Sequence, residues 1–137
     1  MPFNIIPRKG LDRVRFGEGR MDTRARLGQF VTFHRTPEGA PVDHYVKLGL
    51  MLSFDSSDRV EFIELAEPAE ILFGNVSLLG HSYRRVVSEL WRIGVVGTED
   101  DFGVEFRDQC FSLFSQTPGE DDSQVEGVSV FAPGYYG

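Results

Sequence analysis

The spacing of hydrophobic and polar positions predicts one clear hairpin and one clear helix. Residues 44–54 and 59–65 are rich in apolar and aromatic side chains and flank the polar stretch 55–58, the pattern of two antiparallel strands and their turn. Farther along, apolar residues recur at the spacings of an amphipathic helix. That helix is expected to begin after Ser82, a favourable N-cap, and to bury a stripe made of Tyr83, Val86, Val87, Leu90 and Trp91.

Weaker patterns predict the remaining elements. Residues 21–27 are expected to form about two helical turns that end at Gly28, a residue suited to a C-terminal cap. Three further strands are predicted at residues 30–34, 110–115 and 125–131. The first nine residues, which contain Pro2 and Pro7, are expected to be an extended lead-in.

Two parts of the sequence recur faintly at a similar separation. Residues 60–65 match residues 125–130, and residues 16–27 match residues 79–90, where Phe16-Gly17 corresponds to Leu79-Gly80. A period of this length is longer than that of solenoid repeats and indicates a duplicated half-domain. We therefore expect a single domain, residues 1–137, made of two repeats at about 10–68 and 71–133.

These elements together predict an α+β fold. Two tandem helix-plus-antiparallel-hairpin units are expected to form one antiparallel sheet with two helices on one face. Because the helices cover only one face, the other face is expected to meet solvent or a partner.

Charge changes the picture more than overall composition does. Of the formal net charge of −7, none lies in residues 1–68, where ten acidic side chains balance ten basic ones. Residues 99–126 hold nine acidic side chains against Arg107 alone. Such an anionic surface repels nucleic-acid phosphates, so no nucleic acid is expected to bind, whereas a protein with a basic surface suits the second half.

The remaining composition predicts a globular, cytoplasmic protein, and the leading hypothesis, a binding module, is expected to be bacterial. Apolar residues make up 41% of the chain, which is enough for a core at this length. No apolar run is long enough to span a membrane, and the first ten residues do not have the pattern of a signal peptide. A single cysteine, Cys110, excludes an internal disulfide and is typical of a reducing compartment.

No residue pattern points to catalysis, a metal or a cofactor. None of His34, His44 and His81 has a second histidine or cysteine within four residues, as zinc sites usually do. Acidic neighbours in sequence disfavour a reactive thiolate at Cys110, which is interpreted as a core residue. The acidic pairs lack the spacing of a calcium loop and are interpreted as solvated charge.

Two surfaces remain as candidates for binding. One is the sheet face that the helices leave open, and the other is the pair of acidic loops at residues 99–101 and 119–122. Aromatic and charged side chains on an open sheet are suited to protein recognition. The predicted partner-binding residues are Tyr45, Lys47, Phe54, Glu61, Asp100, Asp101, Asp121 and Asp122, with Phe114 as a further candidate on the sheet.

The repeated segments carry a resemblance to a known family. In residues 16–28 and 79–90, an aromatic or aliphatic residue and a glycine precede a short helix that ends in leucine. This layout resembles the tandem fold of the β-lactamase inhibitory proteins, whose single unit is shared by outer-membrane assembly lipoprotein modules of the SmpA/OmlA type. The resemblance implies a binding protein whose sheet face occludes a partner. The layout and acidic bias are also similar to those of small cytoplasmic immunity proteins that neutralise bacterial toxins.

The sequence therefore predicts a non-enzymatic protein-binding module, in its sharpest form an immunity or inhibitor protein. Two alternatives stay open at this point. One is a small hydrolase or ligand-binding enzyme that uses His44 or His81 with a nearby carboxylate. The other is a structural homodimer without a further partner. The sequence leaves open the role of the tail that contains Tyr135 and Tyr136.

Overall fold

The computed structural model describes all 137 residues, and the chain is mostly β. Two α-helices, one 3-10 turn (Val46–Leu48) and twelve strands follow one another. Their bounds, in chain order, are β1 Phe3–Ile6, β2 Gly10–Leu11, α1 Arg20–Leu27, β3 Val31–His34, β4 Pro41–Tyr45, β5 Leu50–Phe54, β6 Val60–Leu65, β7 Ile71–Phe73, β8 Val76–Ser77, α2 Tyr83–Arg92, β9 Thr98–Asp100, β10 Gly103–Phe106, β11 Phe111–Phe114 and β12 Gly127–Phe131.

The predicted α+β fold, with one antiparallel sheet and two helices on one face, is wrong. The strands form two sheets, of four and eight strands, and the two helices hold only 8 and 10 residues. The additional sheet, in the order β2-β1-β7-β8, includes part of the expected lead-in, because Phe3 in β1 pairs in parallel with Ile71 in β7. A parallel pair between such distant segments has no local signature in the sequence.

The larger sheet is entirely antiparallel, as expected, and has the order β3-β4-β5-β6-β12-β11-β10-β9. The predicted strand at residues 44–54 is two strands, because the 3-10 turn separates β4 from β5. Gly49 ends that turn at a φ of +67°, a conformation that favours glycine. A Cβ atom at this position would lie 2.2 Å from the carbonyl oxygen of Ala66, so only glycine fits.

The two halves of the chain have the same order of elements. Each half contributes two short strands to the small sheet, then a helix, then four strands of the large sheet, which join at β6 and β12. Before each helix a glycine N–H donates to a backbone carbonyl oxygen: Gly17 to that of Val60 in β6 at 2.9 Å, and Gly80 to that of Val125, just before β12, at 3.0 Å. Gene duplication as the origin of these halves stays a prediction.

The core lies between one face of the large sheet, the small sheet and the helices. One cluster of 25 buried residues draws on all three layers. Phe111 stacks between Phe73 and Phe106, with ring centroids 4.9 and 4.6 Å away. Full burial of a side chain such as Phe106 or Phe111 stabilises the fold by about 1.5–3 kcal/mol. Neither α1 nor α2 has the length and apolar character that a membrane-spanning helix requires.

Helix α1 is attached through a buried ion cluster. Asp43 in β4 is fully buried and accepts hydrogen bonds from Arg24 Nε at 2.8 Å, Thr32 Oγ1 at 3.0 Å and Arg20 at 3.3 Å. Burial by itself would raise the pKa of Asp43, but the hydrogen bonds from Arg24 and Thr32 and the charges of both arginines hold it below its ordinary value. The carboxylate therefore stays ionised in the core.

Helix α2 is attached through the apolar stripe that its sequence predicts. Tyr83, Val86 and Leu90 are buried, and the Ser82 side chain accepts a hydrogen bond from the helix backbone as the expected N-cap. Trp91 departs from the prediction, because it lies at the edge of the stripe and is 66% exposed. The helix therefore packs with a narrower face than the spacing suggests.

Candidate protein-binding surface

The large sheet has one face that neither the helices nor the small sheet covers, which we call the outer face. Side chains alternate between the two faces of a strand, so the residues that flank core positions point outward. Cross-strand pairs place a mixed row of half-buried side chains there, formed by His44, Met51, Glu64, Ser129, Ser112 and Glu105.

Two exposed aromatic rings stack at one end of this face. Phe114 in β11 and Phe102 in the β9–β10 turn have centroids 6.4 Å apart and nearly parallel planes, and they are 44% and 59% exposed. The cross-strand neighbours of Phe114 are Gly103 and Gly127. Because neither neighbour has a side chain, the Phe114 ring stays open to solvent.

Carboxylates surround this aromatic pair. Asp100 pairs with Gly103 across the turn, and its Oδ1 accepts the Phe102 N–H at 2.8 Å, which fixes the turn. Asp101 lies in the turn itself, and Asp100 and Asp101 are exposed and make no salt bridge. We call the whole set the aromatic–acidic patch; it consists of Phe102, Phe114, Asp100, Asp101, Glu105 and Glu126.

The second acidic loop lies beside the first. The Ser115 N–H donates to the Phe102 carbonyl oxygen at 2.8 Å, which ties the β11–β12 loop to the β9–β10 turn. Asp121 is exposed and lies 3.2 Å from Arg84 of α2, and Asp122 is exposed without a salt bridge. The fold thus brings the two predicted acidic loops to the same end of the molecule.

The predicted sheet-face residues are divided between the core and the surface. Tyr45 and Phe54 lie in the core, so the structure removes them from the predicted binding surface. Tyr45 packs on Phe30 with centroids 5.6 Å apart, and Phe54 lies under the Arg20 guanidinium. The 3-10 turn interrupts the alternation between β4 and β5, so Tyr45 shares the buried face with Leu50, whereas Phe54 alternates regularly with Leu50 and Leu52 on that face.

The other two predicted residues stay at the surface, but apart from the aromatic–acidic patch. Lys47 is exposed in the 3-10 turn, and Glu61 is half-buried in β6. Phe102, in contrast, was not predicted as a surface residue. Its position directly after Asp100-Asp101 and before a glycine is a turn signal that would have identified it.

The C-terminal tail covers part of the outer face. The Tyr135 ring stacks on Phe62 of β6 at 4.7 Å, and the Tyr136 ring meets Phe131 of β12 edge-on at 4.9 Å. Burial, followed by the charges of Glu61 and Glu64, raises the pKa of the Tyr135 phenol. The tail therefore fills the centre of the outer face and leaves the aromatic–acidic patch open.

The histidines and the cysteine do not lie in a cluster of metal-ligating or catalytic side chains. His34 and His81 are exposed, and no hydrogen bond joins a histidine to a carboxylate. No group of three histidine, cysteine or acidic residues is placed to hold a metal ion. Cys110 is buried, and its burial raises the pKa of the thiol, whose Sγ lies 3.5 Å from the Arg107 carbonyl oxygen.

Comparisons with known proteins do not assign this chain to a family. No family model, curated protein or solved structure matches the chain. The resemblances to the β-lactamase inhibitory proteins and to the immunity proteins, and the cytoplasmic location, therefore stay predictions.

Proposed function

We propose that this chain is a non-enzymatic protein-binding module that binds a basic surface of another protein through the aromatic–acidic patch. The observation that carries the proposal is the stacked, exposed pair of Phe102 and Phe114 among carboxylates, of which Asp100 and Asp101 make no salt bridge. Exposed aromatic rings supply much of the binding energy at protein interfaces. A partner that covers these two rings would remove them from water.

The charge around the rings determines which partner fits. Asp100 and Asp101 make no salt bridge, so they are free to pair with arginine or lysine side chains of a partner. Complementary charge mainly speeds association and excludes wrong partners. An immunity or inhibitor role is the sharpest form of this proposal, because such a protein blocks its target by covering it.

The strand pairing and hydrogen bonds that hold the patch in place also favour binding. Phe114 lies within a paired strand, and the Phe102 turn is held by hydrogen bonds from the Phe102 N–H to Asp100 and from the Ser115 N–H to the Phe102 carbonyl oxygen. A surface that is already ordered loses little conformational entropy when it binds. The patch therefore needs no rearrangement to meet a partner.

Removal of both rings tests the proposal. A chain with an N-terminal affinity tag would capture its partner from a lysate of the native host, and mass spectrometry would identify it. The double variant F102A/F114A is expected to weaken binding of the purified partner at least roughly tenfold, as loss of interface anchors does. Calorimetry would measure this affinity. The control is M21A, which removes an exposed apolar side chain of α1 and is expected to bind like the native chain.

Charge reversal tests the choice of partner. D100K/D101K is expected to slow association at low salt at least roughly tenfold, and added salt should reduce this difference. Retention of the same partner at full affinity by F102A/F114A would exclude the patch. A captured partner that is acidic where it binds would also contradict the proposal.

A further inference from the structure

A groove runs along the free edge of the large sheet, between α2 and β9. Val87 and Trp91 of α2 form one wall, Glu99 of β9 forms the other, and Pro118 and Gly119 close one end of a cavity of about 440 Å³. A second cavity of about 200 Å³ continues it past residues 95–97. We call this feature the α2–β9 groove.

Strand β9 leaves one side of its backbone unpaired. It is the last strand of the sheet, it pairs only with β10, and all three of its residues are exposed. Asp100 and Gly103 close a two-residue turn, and the pair that closes such a hairpin is hydrogen-bonded. Because hydrogen-bonded and non-hydrogen-bonded pairs alternate, Glu99 directs its own N–H and C=O to the free edge.

The two sides of this edge differ in chemistry. On the core side, Trp91 and Val96 are 66% and 61% exposed beside the groove. On the outer side, Asp100 and Glu105 flank the edge, and Asp101 follows in the turn. A strand added here would direct alternate side chains to these carboxylates and to the α2–β9 groove, where Val87 and Trp91 are apolar and Arg84 is already paired with Asp121.

We propose that the α2–β9 groove binds an extended, basic segment of the partner protein, which adds to β9 as a further antiparallel or parallel strand. Its apolar residues lie against Val87 and Trp91, and its lysine or arginine residues meet the carboxylates of the outer side. This inference rests on the proposed function, since it names the part of the partner that contacts the sheet edge.

The exposed apolar residues argue for an occupant rather than for a protected edge. Short, charged edge strands are a common defence against unwanted pairing, and three-residue β9 with Glu99 and Asp100 has that form. Such a defence has no use for an exposed tryptophan and valine beside it. Trp91 and Val96 instead supply the apolar contact that an added strand requires.

A peptide of alternating lysine and valine tests the inference, because main-chain pairing makes little demand on sequence. Fluorescence anisotropy would measure binding of a labelled (Lys-Val)5 peptide to the full chain. E99A keeps the backbone N–H and E99P removes it, so E99P is expected to bind at least roughly tenfold more weakly than E99A. W91A is expected to weaken binding roughly fivefold or more, and a (Glu-Val)5 peptide is expected to bind at least roughly tenfold more weakly than (Lys-Val)5.

Several results would overturn the inference. These are an absence of saturable (Lys-Val)5 binding below about 1 mM, equal binding by E99P and E99A, and equal binding of the two peptides. Circular dichroism would check the fold of each variant. If E99P does not fold, W91A decides, because that exposed side chain can be removed without opening the core; unchanged binding by W91A would then exclude the groove. F102A/F114A should retain the peptide, so failure of the proposed function and failure of this inference remain distinguishable.

Discussion

Helices α1 and α2 occupy equivalent places in two halves with the same order of elements, but different interactions attach them to the sheet. Arg20 and Arg24 of α1 contact the buried carboxylate of Asp43 in β4. Val86 and Leu90 of α2 instead pack in the apolar core. One backbone plan therefore accepts either a charged or an apolar attachment. The first half neutralises charge inside the fold, whereas the second half leaves most of its carboxylates at the surface.

The largest expected effect comes from emptying the charged attachment. D43A leaves half-buried Arg24 without a carboxylate and leaves buried Arg20 with Asp58 alone, and loss of one partner from a buried ion cluster typically costs about 3–5 kcal/mol. Urea unfolding followed by circular dichroism would measure the free energy of unfolding. D122A removes an exposed carboxylate without a salt bridge and should change it by less than about 0.5 kcal/mol. A D43A effect as small as that of D122A would show that the cluster does not hold α1.

The pH dependence of stability gives a second test of the Asp43 cluster. Because the pKa of Asp43 is lowered in the folded chain, its stabilisation is present above the ordinary carboxyl pKa of about 3.9 and is lost as the pH falls through the lowered value. The free energy of unfolding of the native chain should therefore fall more steeply below about pH 4 than that of D43A. Parallel pH curves for the two proteins would contradict the lowered pKa.

The apolar attachment of α2 should be nearly as sensitive to the loss of a side chain, but its contribution to stability should not depend on charge. L90A removes a fully buried side chain of α2, and such core truncations cost about 2–5 kcal/mol. The neighbouring variant W91A removes an exposed side chain and should stay within about 0.5 kcal/mol of the native chain. The cost of L90A should be the same in low and high salt. A strong dependence on salt would mean that α2 is also held by charge.

The smallest effects concern the helix starts. Ser82 caps α2 with its side chain, whereas Gly19 precedes α1 without a side-chain cap. S82A should lower the free energy of unfolding by about 1 kcal/mol, and G19S should raise it by a few tenths of a kcal/mol. Thermal or urea unfolding would detect both changes. A destabilising G19S would show that the α1 start depends on glycine for another reason.

The sequence was informative where structure depends on neighbouring residues. The apolar spacing and Ser82 predicted α2 and its cap, and composition predicted the exposed acidic loops. The sequence was misleading where pairing between distant segments or an irregular backbone determines which strands form and which residues are buried. The pairing of β1 with β7 has no local pattern, and the turn before Gly49 moved Tyr45 into the core. The candidate patch needed the structure, because cross-strand glycines, not its own neighbours in sequence, expose Phe114.

The tail position has a practical consequence for work on this protein. Tyr135 and Tyr136 lie against β6 and β12 in the middle of the outer face, so a fluorophore, display anchor or fusion partner attached after Gly137 would be delivered onto that face. Such a label would cover part of the outer face. Met1 is almost fully exposed, and attachment at that end keeps the sheet clear for measurement.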